Sequence, residues 1–394
     1  MKKLLLLLIA FQPALALAGV TKAATASASS ASNAAAVSAS PLSAPSLLAP
    51  SALAPSLLTP TLSAPSLTPA LAAPLAAPAS GARDGHRAGV IERLHRRFVA
   101  LDATFPIPDA SPAARVRRHI RAELLETART VAEADAVILE TVADEADRAL
   151  ASIQKRLDAG EIDPSLDLRV DPDGGPVAAH SRPMKVGIYP VAADPFHWGH
   201  LIVALRAVGD LSVDKVVFVL AGDDPRKPTM TPVLDRHPMG IEVLKGFAPF
   251  FAYSPIAVGT QFDGETNIFR ILALNPDMAI TAWYMVGDDH YRLTDKKGNP
   301  DTLPKLEANR AKMLSSDSAL HELKVAFIER ERPTEAVPTT LEVRFIEHAG
   351  FDASSTAVRE GSHGLVPHRA IEYARRKGLY GMSEPPSPSA DPVK

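Results

Sequence analysis

From residue 185 onward the chain alternates short apolar runs with stretches whose apolar residues recur at helical spacing. The runs are 186–189, 216–220, 251–258, 279–286, 325–328 and 343–346; the helical stretches include 201–208, 235–247, 268–274 and 368–377. One run of this length is ambiguous between strand and buried helix, but sustained alternation is compatible with few folds. It predicts an α/β fold, a doubly wound, mainly parallel Rossmann-like sheet, because parallel neighbours need a crossover between them. Ligands of such sheets bind beyond the carboxyl ends of the strands.

Residues 185–201 read KVGIYPVAADPFHWGHL. A strand runs into a loop holding Asp194 and Pro195, and a helical pattern through Leu201, Val203, Leu205 and Val208 begins just after His197 and His200. The first-turn N–H groups of a helix have no partner within it, so this end suits an anion, and two imidazoles there can donate to phosphate oxygens. Taken alone, His197-Trp198-Gly199-His200 is equally readable as a metal pair or as two surface histidines.

Asp194, Pro195, His197, Gly199 and His200 resemble the signature Asp-Pro-x-His-x-Gly-His of the adenylyltransferases in the nucleotidyltransferase superfamily. About 160 residues later, Ser354-Ser355-Thr356-Ala357-Val358-Arg359, Gly364-Leu365-Val366-Pro367 and Gly378-Leu379-Tyr380 resemble the closing motifs of bacterial nicotinate-nucleotide adenylyltransferases. The resemblance covers residues 185–381 and implies AMP transfer from ATP to a mononucleotide, with pyrophosphate leaving and Mg2+ bridging phosphates. It gives His197 and His200 the transferring phosphoryl charge. Asp194, Lys227, Asp289, Ser355, Thr356 and Arg359 become nucleotide contacts, with Arg236 a further candidate phosphate ligand and no metal held by protein side chains alone. The residues by themselves allow plainer readings: a solvated basic turn for Lys227, a helix-surface arginine at 236, a helix cap at Asp289, and a capped helix with a surface arginine at 354–359.

The resemblance has departures. Relatives carry Gly-Gly where this chain has Pro190-Val191 and Thr-Phe where it has Ala192-Ala193, so a loop expected to approach the nucleotide has lost its glycines. Where nicotinate-type relatives place a tryptophan, Tyr291-Arg292-Leu293 leads into a polar insertion, 294–302. The acceptor is therefore nicotinate mononucleotide on the closest resemblance, with pantetheine phosphate or a cytidylyltransferase substrate as alternatives.

The half before the resemblance has a different character. Residues 1–18 have Lys2, Lys3, a short apolar core and Ala16-Leu17-Ala18, the order of a secretory signal peptide and too short an apolar run for a permanent membrane span. Residues 19–82 are almost wholly Ala, Ser, Pro, Leu and Thr, a low-complexity linker. Residues 83–160 form an α-helical module, with one apolar stripe at Ile91, Leu94, Phe98 and Leu101 and a longer one from Ile120 through Leu157. Its faces suit packing or self-association, with Ser111-Pro112 opening its second helix. A polar connector spans 161–183, the nucleotidyltransferase domain 184–382, and a disordered tail 383–394. A net charge of −3 gives no support for a nucleic-acid partner, and the absence of cysteine excludes disulfides and a thiolate nucleophile. The signal predicts export to the periplasm or exterior; without it the chain is cytoplasmic. Export, together with the altered 190–191 segment, raises the alternative of a catalytically weak nucleotide-binding or interaction module on the same fold.

Overall fold

The computed structural model describes residues 80–131, 133–224, 227–313, 320–330 and 336–382. The signal peptide, nearly all of the linker and the tail lie outside the described residues.

Six strands, β1 (Met184–Val191), β2 (Lys215–Leu220), β3 (Phe251–Ser254), β4 (Ile280–Gly287), β5 (His321–Glu329) and β6 (Glu342–Glu347), form one sheet in the order β3-β2-β1-β4-β5-β6. Every pairing is parallel. This is the doubly wound sheet that the alternation predicts, with the strand order reversing between β1 and β4. Parallel strands covered on both faces need apolar residues at successive positions, and β2, KVVFVL, is buried along its whole length. Val216, Phe218 and Leu220 face one core, while Val217 and Val219 face the other.

The first core is covered by α4 (Trp198–Asp210), α5 (Val233–Leu244) and α9 (His368–Lys377), the second by α6 (Gly264–Ala273) and α7 (Thr302–Met313). A five-residue helix, α8 (Ser355–Arg359), follows the β6 loop. The sequence pattern did not announce α7. It follows the polar insertion, where Thr294 bridges Pro300 and Gly298 turns the chain at φ 84, and it buries Leu303 and Leu306.

Three helices precede the sheet: α1 (Ser80–Thr104), α2 (Pro112–Thr130) and α3 (Glu133–Asp158). The Ser111 side chain caps α2 by accepting from the Ala113 N–H at 3.0 Å, with Pro112 in the first helical position, where its missing N–H costs nothing. The longer apolar stripe belongs to two helices, because α2 stops at an extended Val131. Leu94, Phe98, Ile120, Leu124, Val142 and Ile153 are buried in the same apolar cluster as Leu201, Phe218 and Ile371. The bundle and the α4 side of the sheet therefore share one core. The connector is packed too. Leu168 enters the second core, the Asn275 amide bonds both the N–H and the C=O of Arg169 at 2.8 Å, and the fully buried Asp214 carboxylate accepts from the Asp163 and Lys185 N–H groups and the Arg182 guanidinium.

The α3–α4 seam depends on a small residue. A Cβ at Gly209 would lie 2.6 Å from the Ser152 hydroxyl and 2.9 Å from its Cβ, so Gly209→Ala overpacks the contact and should lower stability by about 1–3 kcal/mol in urea unfolding. Adding Ser152→Gly should recover part of that loss. Additive losses in the double variant would show that the two helices do not meet there.

Candidate active site

The site lies where the strand order reverses. Strand β1 pairs with β2 out to Val191↔Leu220, but its pairing with β4 stops at Ile188↔Tyr284, so the two central strands part at their carboxyl ends. Pro190 sits just past the last β4 partner, where its missing N–H removes no ladder bond. Residues 190 and 191 are thus the end of the strand rather than loop, which corrects the expectation of a rebuilt loop there. The ring of Pro190 packs on the start of α6: a Cβ at Gly264 would lie 2.9 Å from it and from the Tyr284 hydroxyl.

Beyond Val191 the chain turns through Ala193, held at φ 49, and reaches α4, with His197 as its N-cap. This loop is buried and unpaired to any strand, so its polar groups must be satisfied from elsewhere. Arg236 donates to the Ala192 carbonyl at 2.7 Å, Arg359 to the Asp194 carbonyl at 2.5 Å, and Ser355 to the Pro195 carbonyl at 3.1 Å. The Asp194 carboxylate accepts from the Tyr380 hydroxyl at 2.9 Å and the Thr231 N–H at 3.2 Å, with Arg359 3.7 Å away. The two signature segments therefore meet.

Several sequence candidates change meaning in this arrangement. Asp194 is buried with both carboxylate oxygens engaged by the protein, so it organises the loop instead of facing a nucleotide. Arg236 is neither on a helix surface nor directed at a phosphate: it is fully buried and its guanidinium is spent on the carbonyls of Ala192, Ala221, Gly222 and Thr231. Ser355 and Arg359 bond this loop while Thr356, exposed, accepts from Arg359 at 3.1 Å. Asp289 is exposed at the β4 end, and the buried neighbour is Asp288, which accepts from the Arg330 N–H at 3.0 Å and so ties β4 to the end of β5. Lys227 is exposed on the β2–α5 loop, away from these contacts.

The imidazoles of His197 and His200 stack at 3.7 Å between centroids. His200 is edged by Tyr189 and Phe196, and its Nδ1 accepts a long bond, 3.4 Å, from the His197 N–H. That bond leaves Nε2 to hold the proton of the neutral ring, a donor on its free side. Burial, then the neighbouring His348 and Arg330, pushes the His200 pKa down to about 3; burial, then His200, His348 and Arg330, holds His197 well below its ordinary value. His197 Nδ1 is buried without a hydrogen-bond partner in the structure.

Arg330 and His348 escaped sequence reasoning, because neither belongs to a motif quoted above. Position was the available signal, since each stands just beyond a predicted strand end. Both line a cavity of about 630 Å³ together with Arg206, Glu347 and Phe351, and with Glu145 and Arg148 from α3. Among the described residues no group of three or more His, Asp or Glu side chains is placed to hold a metal ion. No helix among the described residues is long and apolar enough to cross a membrane.

The doubly wound parallel sheet that carries this histidine pair at its switch point is a Rossmann-like fold. More particularly, the chain is similar to nicotinate-nucleotide adenylyltransferases, the enzymes its motifs resemble. It is 25% identical over 224 residues to the probable nicotinate-nucleotide adenylyltransferase of Moorella thermoacetica, covering 51% of this chain and 93% of that protein. It is 27% identical over 208 residues to that of Thermus thermophilus, covering 50% of this chain and all of the relative. No protein-family model matches the chain. Among solved structures, the nicotinic acid mononucleotide adenylyltransferase of Plasmodium falciparum complexed with NaAD aligns with 51% of this chain and 98% of its own, at 10% identity and a TM-score of 0.34.

The depressed histidine pKa values have a consequence for stability. An unfolded histidine titrates near 6.5, so as pH falls below about 6.5 the unfolded chain takes up a proton that the folded chain refuses, and stability drops until the folded value is reached. Between pH 7.5 and 5.0, His200→Gln should abolish about 2 kcal/mol of the wild-type loss in urea unfolding. Identical losses in the two proteins would mean that His200 is protonated in the fold.

Proposed function

We propose that the protein is an adenylyltransferase that joins AMP from ATP to nicotinate mononucleotide and releases pyrophosphate. The observation that carries this reading is the meeting of the His197-x-x-His200 turn with the Ser355–Arg359 helix through direct bonds to the loop at 192–196. In the reaction a phosphate oxygen of the acceptor attacks the α-phosphorus of ATP, and the bond to the β-phosphate breaks as pyrophosphate leaves. The protein's contribution is positioning and charge.

His200 donates from Nε2 to an oxygen of the transferring group, and His197, one stacking distance behind it, takes up charge as the anion arrives. Arg330, whose charge bears on both rings, neutralises phosphate charge beside them. Ser355, Thr356 and Arg359 hold the β- and γ-phosphates, Arg359 being partly exposed while its other donors bind the loop. Lys227 and Asp289 act from the rim, toward the triphosphate and the nucleoside. Magnesium would arrive with the phosphates and supply charge neutralisation there, since it favours substrate phosphates and few protein ligands.

Neutral buried imidazoles beside a bound polyanion gain affinity for protons, so ATP binding should be accompanied by proton uptake. Calorimetry at pH 7 in two buffers of different ionisation enthalpy measures it, and His200→Gln should reduce it. Turnover is tested by pyrophosphate release with ATP, magnesium and a panel of phosphorylated acceptors, nicotinate mononucleotide first. His200→Ala and Arg359→Ala should each lower kcat by about 10²-fold to 10³-fold with the fold retained. No pyrophosphate from any acceptor, together with no ATP binding, would overturn the reading.

The alternative reading is an exported nucleotide-binding module of weak or no turnover. Pro190 and Gly264 close on each other at the edge of the cleft, under the Tyr284 hydroxyl. ATP binding without pyrophosphate release, with the chain recovered outside the cytoplasm, would decide for that reading.

A further inference from the structure

We propose that α3 of the helical bundle is a working part of the nucleotide site, with Glu145 acting through Arg206 to position the loop that brings His348 and α8 to the signature histidines. Arg206 stands on α4, the helix that begins at His197. Its side chain is almost wholly buried and reaches two carbonyls at the end of β6, those of Glu347 at 3.0 Å and His348 at 2.6 Å. The guanidinium is held from behind by the Glu145 carboxylate in a close ion pair that is buried on both sides. The same carboxylate underlies the next turn of the loop, since a Cβ at Gly350 would lie 2.7 Å from Glu145 Oε1.

The far end of the loop is fixed as firmly. The Cβ of Ala353 would stand 3.0 Å from a Cβ at Gly199, and Ser355 bonds the Pro195 carbonyl. Between these two anchors the loop carries His348 along the cavity wall and delivers Ser355, Thr356 and Arg359. One anchor belongs to the site's own signature; the other comes from α3, which precedes every motif of the 185–381 stretch. Arg148, one turn beyond Glu145 and paired with it at 3.2 Å, lines the same cavity with its side chain 61% exposed. A buried arginine whose carboxylate is removed must find another partner, and the nearest mobile acceptors are the loop groups it now fixes.

The test uses the full chain and two readouts. Hydrogen exchange of the unliganded protein, followed by mass spectrometry, should show about tenfold faster exchange in peptides covering 347–359 for Glu145→Leu, with the β1 and β2 peptides unchanged. Arg206→Lys, which keeps a buried cation but lacks the fork, should do the same, and it decides the matter if Glu145→Leu does not fold. Glu145→Gln keeps an acceptor for Arg206 and should stay within about twofold of wild type. As a control, Glu140→Leu removes a more exposed arginine–carboxylate pair on the same helix, with Arg93 at 2.8 Å, and should leave the 347–359 peptides alone. In kinetics, the two disruptive variants should raise KM for ATP about tenfold with KM for the mononucleotide unchanged, a split that loss of general stability does not produce. The kinetic arm rests on the function proposed above and the exchange arm does not, so a wild-type protein without turnover sinks that function and leaves exchange to decide. Unaltered exchange at 347–359 in Glu145→Leu or Arg206→Lys, or equal acceleration in Glu140→Leu, overturns the proposal.

Discussion

A buried loop without a strand partner has to be satisfied one polar group at a time, and the turn at 192–196 is the place where this chain meets that requirement. Its carbonyls at 192, 194 and 195 each accept from a side chain, Arg236, Arg359 and Ser355 respectively, and its one carboxylate accepts from Tyr380 and Thr231. Leaving one such group unpaired costs about 1–3 kcal/mol, so each donor contributes measurably to holding the turn. The donors come from α5 and the loop before it, from α8, and from Tyr380 just beyond α9, so segments far apart in sequence converge on the turn where His197 caps α4.

That requirement changes how the motifs are to be understood. Arginine is read in sequence as a phosphate ligand because its fork suits phosphate, but the same fork suits pairs of carbonyls, and Arg236 with its four acceptors is entirely of the second kind. Arg359 bonds the loop while staying partly exposed, which leaves it open to the phosphate role proposed above. The sheet and its order of elements were legible because apolar periodicity reports burial directly, as in β2 and α9. The break at Val131, the helix at α7 and the cavity residues Arg330, His348 and Glu145 were not. They depend on which surfaces face each other after folding, and no local pattern encodes that. Asp288 and Asp289 show the limit most simply: two adjacent carboxylates, one buried against the end of β5 and one exposed, with nothing in the dipeptide to distinguish them.

The electrostatics of the site follow from the same packing. Two stacked imidazoles in an aromatic setting, with Arg330 nearby, cannot both be charged while the site is free of anion, so they rest neutral. A triphosphate bound as proposed would reverse the balance, because each phosphate oxygen brought alongside lowers the cost of a proton on the ring. The resting state is therefore poised to develop positive charge when negative charge arrives. Fixed donors that need no reorganisation at that moment are the most effective way to stabilise a transferring phosphoryl group.

The bundle formed by α1 to α3 does not stand apart from this chemistry. Its apolar residues belong to the same cluster as those of α4 and α9, and Gly209 lets α3 lie directly on the helix that the histidines begin. A helix docked that closely constrains α4 along its length, and α4 in turn sets the direction in which His200 points. The bundle also reaches the last helix from another side: Glu123 of α2 accepts from the Arg369 backbone and guanidinium at 3.0 and 2.9 Å, fixing the start of α9 and, through it, the approach of Tyr380 to Asp194. Removing the bundle would uncover the α4 face and loosen both ends of the loop network at once. On this geometry the sheet and its bundle fold as one unit, a unit larger than the half of the chain that the relatives cover.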